Sequence, residues 1–173
     1  MLTVVILTKN EESNIVDVIN NAQLVTSNVL VVDSGSEDNT VDFAQKAGAE
    51  VIYRKWDDDF AAQRNFALEH IKTKWVFYLD ADERMDDILI SSIKKTISNG
   101  SDALYEMERR NSAFGRVFKY GVLSADSVKR LFPVKGGIWE GKVHESVKTE
   151  LPIVRLKGFI RHYTYKDFDQ YVY

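Results

Sequence analysis

Two carboxylates one residue apart, Asp80 and Asp82, close the stretch Trp75-Val-Phe-Tyr-Leu-Asp-Ala-Asp-Glu83. Paired hard oxygen donors suit a divalent cation that bridges protein and phosphate. They could equally cap a following helix, whose apolar residues Leu89, Ile93 and Ile97 come at helical spacing. Asp33 stands behind the apolar run Asn28–Val32. Its carboxylate could accept a hydrogen bond from a uracil N–H or a ribose hydroxyl, or cap a helix with Ser34 and Ser36. Arg64 carries a fork of donors that could face a diphosphate, unless it is a solvated helix residue. Glu145, in Gly141-Lys-Val-His-Glu-Ser146, could act as a general base or stand in solvent. His70 lies near an expected helix end, where a dipole contact accounts for it. His144 and His162 fall in a less regular region, where a satisfied structural histidine is the simplest account.

These groups need elements that bring them together. Trp75 to Leu79 is a continuous apolar, mainly β-favouring run, which suits a strand buried on both faces of a parallel sheet. Leu2–Leu7, Asn28–Val32 and Ala49–Tyr53 read as strands. Ile15, Val18, Ile19 and Ala22 form the apolar face of one helix. Val41, Ala44 and Ala47 form that of another, which Gly48 closes. A third helix is expected from about Phe60 to Ile71. Strand and helix in alternation predict an α/β fold with a mainly parallel central sheet flanked by helices. Right-handed crossovers then place Thr8–Glu12, Asp33–Asp38 and Asp80–Glu83 on one sheet edge, where such folds hold their ligand crevice.

Beyond Asn99-Gly100 the texture changes. Tyr105–Glu108 alternates like a half-exposed strand, and Ser127–Phe132, Gly136–Trp139, Lys142–Val147 and Leu156–Ile160 are short. This half reads as a smaller portion of antiparallel strands and loops added to the parallel one. No linker or repeat divides the chain, so residues 1–173 are expected to form one domain with two functional halves, 1–100 and 101–173.

Composition narrows the classes further. With 173 residues, 45% apolar and 28% charged, the chain has the make-up of an ordinary globular domain. A net charge of −3 leaves no broad basic footprint for nucleic acid. The absence of cysteine excludes disulfides and thiolate metal sites and fits a reducing compartment. Met1 runs directly into a strand-like segment, so no signal peptide is expected, and no stretch reaches transmembrane length. Tyr165, Phe168 and Val172 open a helical stripe at the chain end, and that pattern is expected to continue downstream. No dinucleotide fingerprint, phosphate loop or Ser or Cys nucleophile motif is present.

Four blocks, Thr8-Lys-Asn-Glu-Glu12, Val31-Val-Asp-Ser-Gly-Ser-Glu-Asp-Asn-Thr40, Gln63-Arg-Asn65 and Phe77-Tyr-Leu-Asp-Ala-Asp82, resemble the GT-A glycosyltransferases of family 2 in order and spacing. In the second half Gly136-Gly137 resembles the family's glycine-bearing loop. Val143-His-Glu145 lies where the family keeps its catalytic carboxylate, and His162 where many members have a late metal-binding histidine. Trp139-Glu-Gly-Lys-Val-His-Glu-Ser146 with His162-Tyr-Thr-Tyr165 resembles bacterial lipopolysaccharide and lipooligosaccharide core β-1,4-glucosyltransferases. The family's usual Glu-Asp pair is Glu145-Ser146 here, and Glu140 is a rival in sequence. Asp33 is followed by Ser34 where many members have a second Asp.

The resemblance implies a GT-A, Rossmann-like nucleotide-diphospho-sugar transferase fold. Residues 1–100 would bind the nucleotide-sugar, and 101–173 the acceptor. It implies inverting transfer of a hexose, expected to be glucose, from a UDP-sugar donor to a saccharide or glycolipid hydroxyl. Thr8, Asn10, Glu11, Asp33 and Arg64 would surround uridine and phosphates. Asp80 would bridge ribose and metal, and Asp82 and His162 would ligate Mn²⁺ or Mg²⁺. Glu145 would be the general base. Arg109, Arg110, Arg116 and Lys119, interleaved with Phe114, Phe118 and Tyr120, could meet an anionic acceptor or the inner face of a membrane, or merely blunt an edge strand. The implied setting is cytoplasmic, in peripheral contact with the inner membrane. Two other readings stay open: a non-catalytic sugar-nucleotide-binding module, and an Asp-x-Asp phosphatase. Against the phosphatase, Arg84 stands where Thr or Val is usual, and three strand–helix units precede the motif.

Overall fold

The computed structural model describes residues 1–113, 116–117, 124–142 and 145–165, and the side chains of 113, 116, 117, 164 and 165 are left aside. His144, Phe114, Phe118, Lys119, Tyr120, the Arg116 side chain and the stripe from Tyr165 onward lie outside that set.

The first half alternates as expected: β1 (Leu2–Thr8), α1 (Ile15–Gln23), β2 (Val29–Asp33), α2 (Thr40–Lys46), β3 (Glu50–Tyr53), α3 (Phe60–His70) and β4 (Trp75–Tyr78). Each helix follows from its apolar spacing. Ile15, Val18, Ile19 and Ala22 are the buried residues of α1, one face of a 3.6-residue period. Strands β3, β2, β1 and β4 lie side by side, all parallel. Being covered on both faces, they send alternate residues into two cores. Val4, Ile6, Trp75 and Phe77 join α1, α2 and α4 (Asp87–Asn99) on one side, and Val5, Val76 and Tyr78 join α3 on the other.

The second half extends this same sheet. After β5 (Glu83–Met85) and α4 come β6 (Leu104–Ala113), β7 (Arg116–Val117), β8 (Asp126–Pro133), β9 (Ile138–Glu140), β10 (Ser146–Lys148) and β11 (Ile153–Tyr165). The sheet order is β3-β2-β1-β4-β8-β6-β11-β5, with β7 beside β6, while β9 and β10 form a separate antiparallel ribbon. Strand β8 joins β4 and β6 antiparallel, as expected. Strands β6 and β11 instead pair in parallel. They are far apart in the chain, so no hairpin dictates their direction. Arg109 and Arg110 therefore sit on an interior strand, so the reading of a blunted edge does not hold for these two.

Beyond β4 the chain is held by a cap and a close backbone approach. Helix α4 is capped by Asp86, whose Oδ1 accepts from Leu89 N at 2.8 Å, so Asp80 and Asp82 do not cap it. The same oxygen accepts from Phe159 N at 3.0 Å, which ties β11 to the helix start. Gly158 permits the approach: its φ is +92°, and a Cβ there would lie 2.2 Å from Leu89 N. Strand β5 pairs antiparallel with β11, Glu83 opposite His162, and Tyr163 N donates to Asp82 O at 2.9 Å.

Candidate active site

A cavity of about 780 Å³ opens at the carboxyl ends of β1 and β4, bordered by Glu11, Arg64, Asp80, Asp82, Arg130 and Glu145. Of the expected site residues, Glu11, Arg64, Asp80, Asp82 and Glu145 line it, while Thr8, Asn10, Asp33 and His162 are not among its lining residues.

On the β1–β2 side two loops are clasped together. Asp33 is buried, and its Oδ1 accepts from Gly35 N and Ser36 N, each at 2.9 Å. Its Oδ2 accepts from Ser36 Oγ at 2.5 Å and Thr8 Oγ1 at 3.3 Å. Asn10, at φ +56°, donates its N–H to Ser36 Oγ at 2.9 Å and accepts from Glu37 N at 2.8 Å. Glu11 N donates to Thr40 Oγ1 at 2.7 Å, and the Glu11 carboxylate accepts from Asn14 Nδ2 at 2.7 Å. Asp33 thus organises its own turn, while the N-cap of α2 is Asn39.

The β4 side is built from charges brought from afar. Arg130 of β8 reaches Asp80 with two donors, 3.2 Å to Oδ1 and 2.7 Å to Oδ2, and Arg64 adds a third at 3.1 Å. Burial alone would push the Asp80 carboxyl up, but Arg130 and Arg64 outweigh it and hold it well below the carboxylate range. Glu83, fully buried, accepts from Asp80 N at 3.0 Å and lies 3.6 Å from both Arg130 and Arg109. Its carboxyl is raised, first by burial and then by Asp80. Arg109 also pairs with Asp126 at 2.6 Å and borders the cavity.

Arg64 is buried rather than solvated, because α3 packs on Trp139 of β9. Asn65 locks that contact: its Nδ2 donates to Trp139 O at 2.8 Å, and Trp139 N donates to its Oδ1 at 2.9 Å. Arg64 Nε donates to Glu145 Oε1 at 3.2 Å. Glu140 is different: it is exposed on the ribbon, 3.0 Å from Lys148, and does not line the cavity.

Asp82 and His162 meet through the β5–β11 register, His162 Nε2 lying 3.1 Å from Asp82 Oδ2. Asn111 Oδ1, at 2.7 Å, receives the other ring nitrogen and fixes the imidazole. Burial pulls the His162 pKa down, but the Asp82 hydrogen bond and charge outweigh it and raise it. One carboxylate oxygen plus one imidazole is a donor set that fits Mn²⁺ completed by water and phosphate oxygens. Among the described residues no closed group of three ligating side chains occurs. His70 is remote from the cavity lining, its Nδ1 2.8 Å from Phe66 O in the last turn of α3.

Arg130, Glu83 and Asn111 are site residues that sequence alone does not single out. Arg130 shares the strand-like Ser127–Phe132 with Lys129, so its charge alone does not mark it out.

Residues 3–133 match glycosyl transferase family 2. The chain belongs to that family. An uncharacterized glycosyltransferase of Rickettsia conorii is 35% identical over 100 residues, 58% of this chain and 35% of the relative. The SPbeta prophage-derived glycosyltransferase SunS of Bacillus subtilis is 28% identical over 148 residues, 83% of this chain and 34% of SunS. The chain thus spans about a third of the length of these curated relatives. Among solved structures, S. aureus TarS in complex with UDP-GlcNAc superposes with a TM-score of 0.54 at 20% identity, covering 66% of this chain and 36% of TarS. Glucosyl-3-phosphoglycerate synthase from Mycobacterium tuberculosis, in complex with Mn²⁺, UDP and phosphoglyceric acid, gives 0.52 at 20% identity, covering 66% and 44%. This family 2 chain has the GT-A fold, the expected α/β architecture. No helix among its described residues is long and apolar enough to cross a membrane.

Proposed function

We propose that this chain is the donor-binding and catalytic part of an inverting glycosyltransferase. It moves a hexose, glucose, from a UDP-sugar to a saccharide hydroxyl of a lipopolysaccharide or lipooligosaccharide core, at the cytoplasmic face of the inner membrane. The observation that carries the reading is the cavity that Asp80 and Asp82 share with Glu145, at the carboxyl ends of β1 and β4. Family membership supports the activity class. The complexes of TarS with UDP-GlcNAc and of the mycobacterial synthase with Mn²⁺ and UDP support a uridine-diphosphate donor and a divalent cation. The lipopolysaccharide acceptor and the glucose donor rest on the likeness of Trp139–Ser146 and His162–Tyr165 to core glucosyltransferases.

Each residue has a task in such a transfer. Thr8, Asn10, Glu11 and Asp33 shape the pocket for uridine, and Asp80 receives the ribose side. Asp82 and His162, with Asp80 beside them, would hold Mn²⁺ or Mg²⁺, which when bound neutralises charge on the departing diphosphate. Glu145 takes the acceptor hydroxyl's proton as its oxygen attacks the anomeric carbon from the face opposite the leaving UDP. The C–O bond to the acceptor forms as the bond to UDP breaks, so no enzymic nucleophile is required. Residues 1–100 then serve the donor and 101–173 the acceptor, within one domain.

The test separates base from leaving-group station. E145Q should cut transfer from UDP-glucose to a heptose-containing core oligosaccharide by about 10²–10⁴-fold and leave Mn²⁺-dependent UDP binding intact. D82A should weaken UDP binding only when metal is present. Equal UDP affinity with and without metal in the wild type would defeat the metal assignment. A non-catalytic module would bind UDP and release none from UDP-glucose.

A further inference from the structure

Arg64 is the natural candidate to grip a diphosphate, yet its Nε and Nη2 donors already have partners inside the protein. Nε lies 3.2 Å and Nη2 3.1 Å from Glu145 Oε1, and the same Nη2 lies 3.1 Å from Asp80 Oδ1. Nη1 is buried and has no hydrogen-bond partner among the described residues. The guanidinium stands 4.7 Å from the Trp139 ring centre and 5.4 Å from that of Tyr78, against two aromatic faces. Its own backbone is held as well, Arg64 O accepting from Tyr78 Oη at 2.8 Å. Only 3% of the side chain is exposed. To reach a diphosphate, the group would have to leave two carboxylates and two rings. Arg130, meanwhile, contacts Asp80 but has no contact with Glu145 within ion-pair distance.

We propose that Arg64 is a positioning residue: a buried strut that fixes the Glu145 carboxylate relative to Asp80, rather than a ligand of the donor diphosphate. The proposal rests on Glu145 as the base. One planar fork ties the group that would accept the acceptor's proton to the group beside the leaving UDP, so the spacing of the two ends of the reaction is set before either substrate arrives. Lysine keeps the charge but presents a single point of donors, which cannot hold both carboxylates in one plane. A base displaced by about 1 Å can cost about a hundredfold in rate while binding is unaffected.

R64K and R64Q would be compared with the wild type for UDP affinity in Mn²⁺ by calorimetry and for UDP release from UDP-glucose, with water or core oligosaccharide as acceptor. The expected result is a Kd for UDP within about threefold of wild type, a donor KM equally unmoved, and a kcat about a hundredfold lower. In an E145Q background, R64K should add no further loss, because its effect passes through Glu145. A tenfold rise in the UDP Kd, or losses in R64K and E145Q that multiply, would overturn the strut and leave the base assignment standing. Wild-type turnover in E145Q would overturn the base assignment and the strut together. A crystal structure of the unmutated protein with UDP and Mn²⁺ needs no variant to fold. Arg64 within 3.5 Å of Glu145 and Asp80, a standard hydrogen-bond limit, is expected there; its guanidinium on the diphosphate would overturn the proposal.

Discussion

Asp33 ends β2 and Asp80 follows β4 at the carboxyl edge of the same parallel sheet, but they are held in opposite ways. Every described partner of Asp33 is an uncharged donor from its own turn or the neighbouring loop: two backbone N–H groups, Ser36 Oγ and Thr8 Oγ1. Asp80 is held mainly by two guanidinium groups, one from α3 and one from β8, with Glu83 and Glu145 as further members of the same network. The first wall is a local turn, whose pieces arrive together in the chain. The second depends on the sheet being complete, because β8 must lie beside β4 before Arg130 can reach Asp80. A wall of neutral hydrogen bonds should therefore tolerate single losses, and a wall of buried charges should not.

Arg130 is where that difference can be broken most decisively. R130A leaves Asp80 with Arg64 alone and Glu83 buried with Arg109 as its remaining cation. Breaking a buried pair by removing one partner costs about 3–5 kcal/mol. Urea unfolding should show a loss of that size, with R130K recovering part of it. A loss below about 1 kcal/mol would mean that Arg64 alone compensates Asp80, and the two walls would then differ little.

The same contrast explains which parts of the molecule are legible in the chain. Helix α1, strand β4 and the turn after β2 follow from local spacing: Ile15, Val18, Ile19 and Ala22, the run Trp75–Tyr78, and Asp33 with its serines. All partners of that chemistry lie within short reach or in neighbouring loops. Strand β5 is not legible, being only three residues with a buried carboxylate and an arginine among them. Its existence depends on β11, which also delivers His162 to Asp82. Arg130 looks like one charge among several, since nothing near it in sequence shows that β8 will enter between β4 and β6. The parallel pairing of β6 and β11 is hidden for the same reason: direction across a long connection is decided by packing. The family resemblance carries His162 and Glu145 to the site before the geometry can. It does not show that Glu145 and Arg64 are already bonded.

A smaller effect is expected on the neutral wall. Ser36 Oγ donates to Asp33 Oδ2 at 2.5 Å and accepts from Asn10 N at 2.9 Å, so S36A removes two bonds at once. Asp33 keeps three donors, and Asn10 N faces solvent. The expected cost is about 1 kcal/mol in urea unfolding, the size of an ordinary neutral hydrogen bond. UDP affinity should fall a few-fold at most, on the order of the tenfold per 1.4 kcal/mol conversion. A loss matching R130A would show that the turn is as charge-dependent as the wall opposite.

The smallest effect should come from Glu140, the acidic neighbour of Glu145 in sequence. The two differ in what holds them. The Glu145 side chain is 17% exposed and bonded to a buried arginine. The Glu140 side chain is 55% exposed and pairs at 3.0 Å with Lys148, itself 71% exposed, on the outer ribbon. Such a surface pair contributes about 0–1 kcal/mol and weakens with salt. Its carboxylate does not reach the cavity lining, so it has no route to an acceptor hydroxyl. E140Q should therefore leave UDP release from UDP-glucose within about twofold of wild type and stability within about 0.5 kcal/mol, the ordinary range for surface substitutions. If E140Q lost activity and E145Q kept it, the proton acceptor would have to be Glu140, whose side chain would have to leave Lys148 and turn into the cavity that Trp139 of the same ribbon already borders.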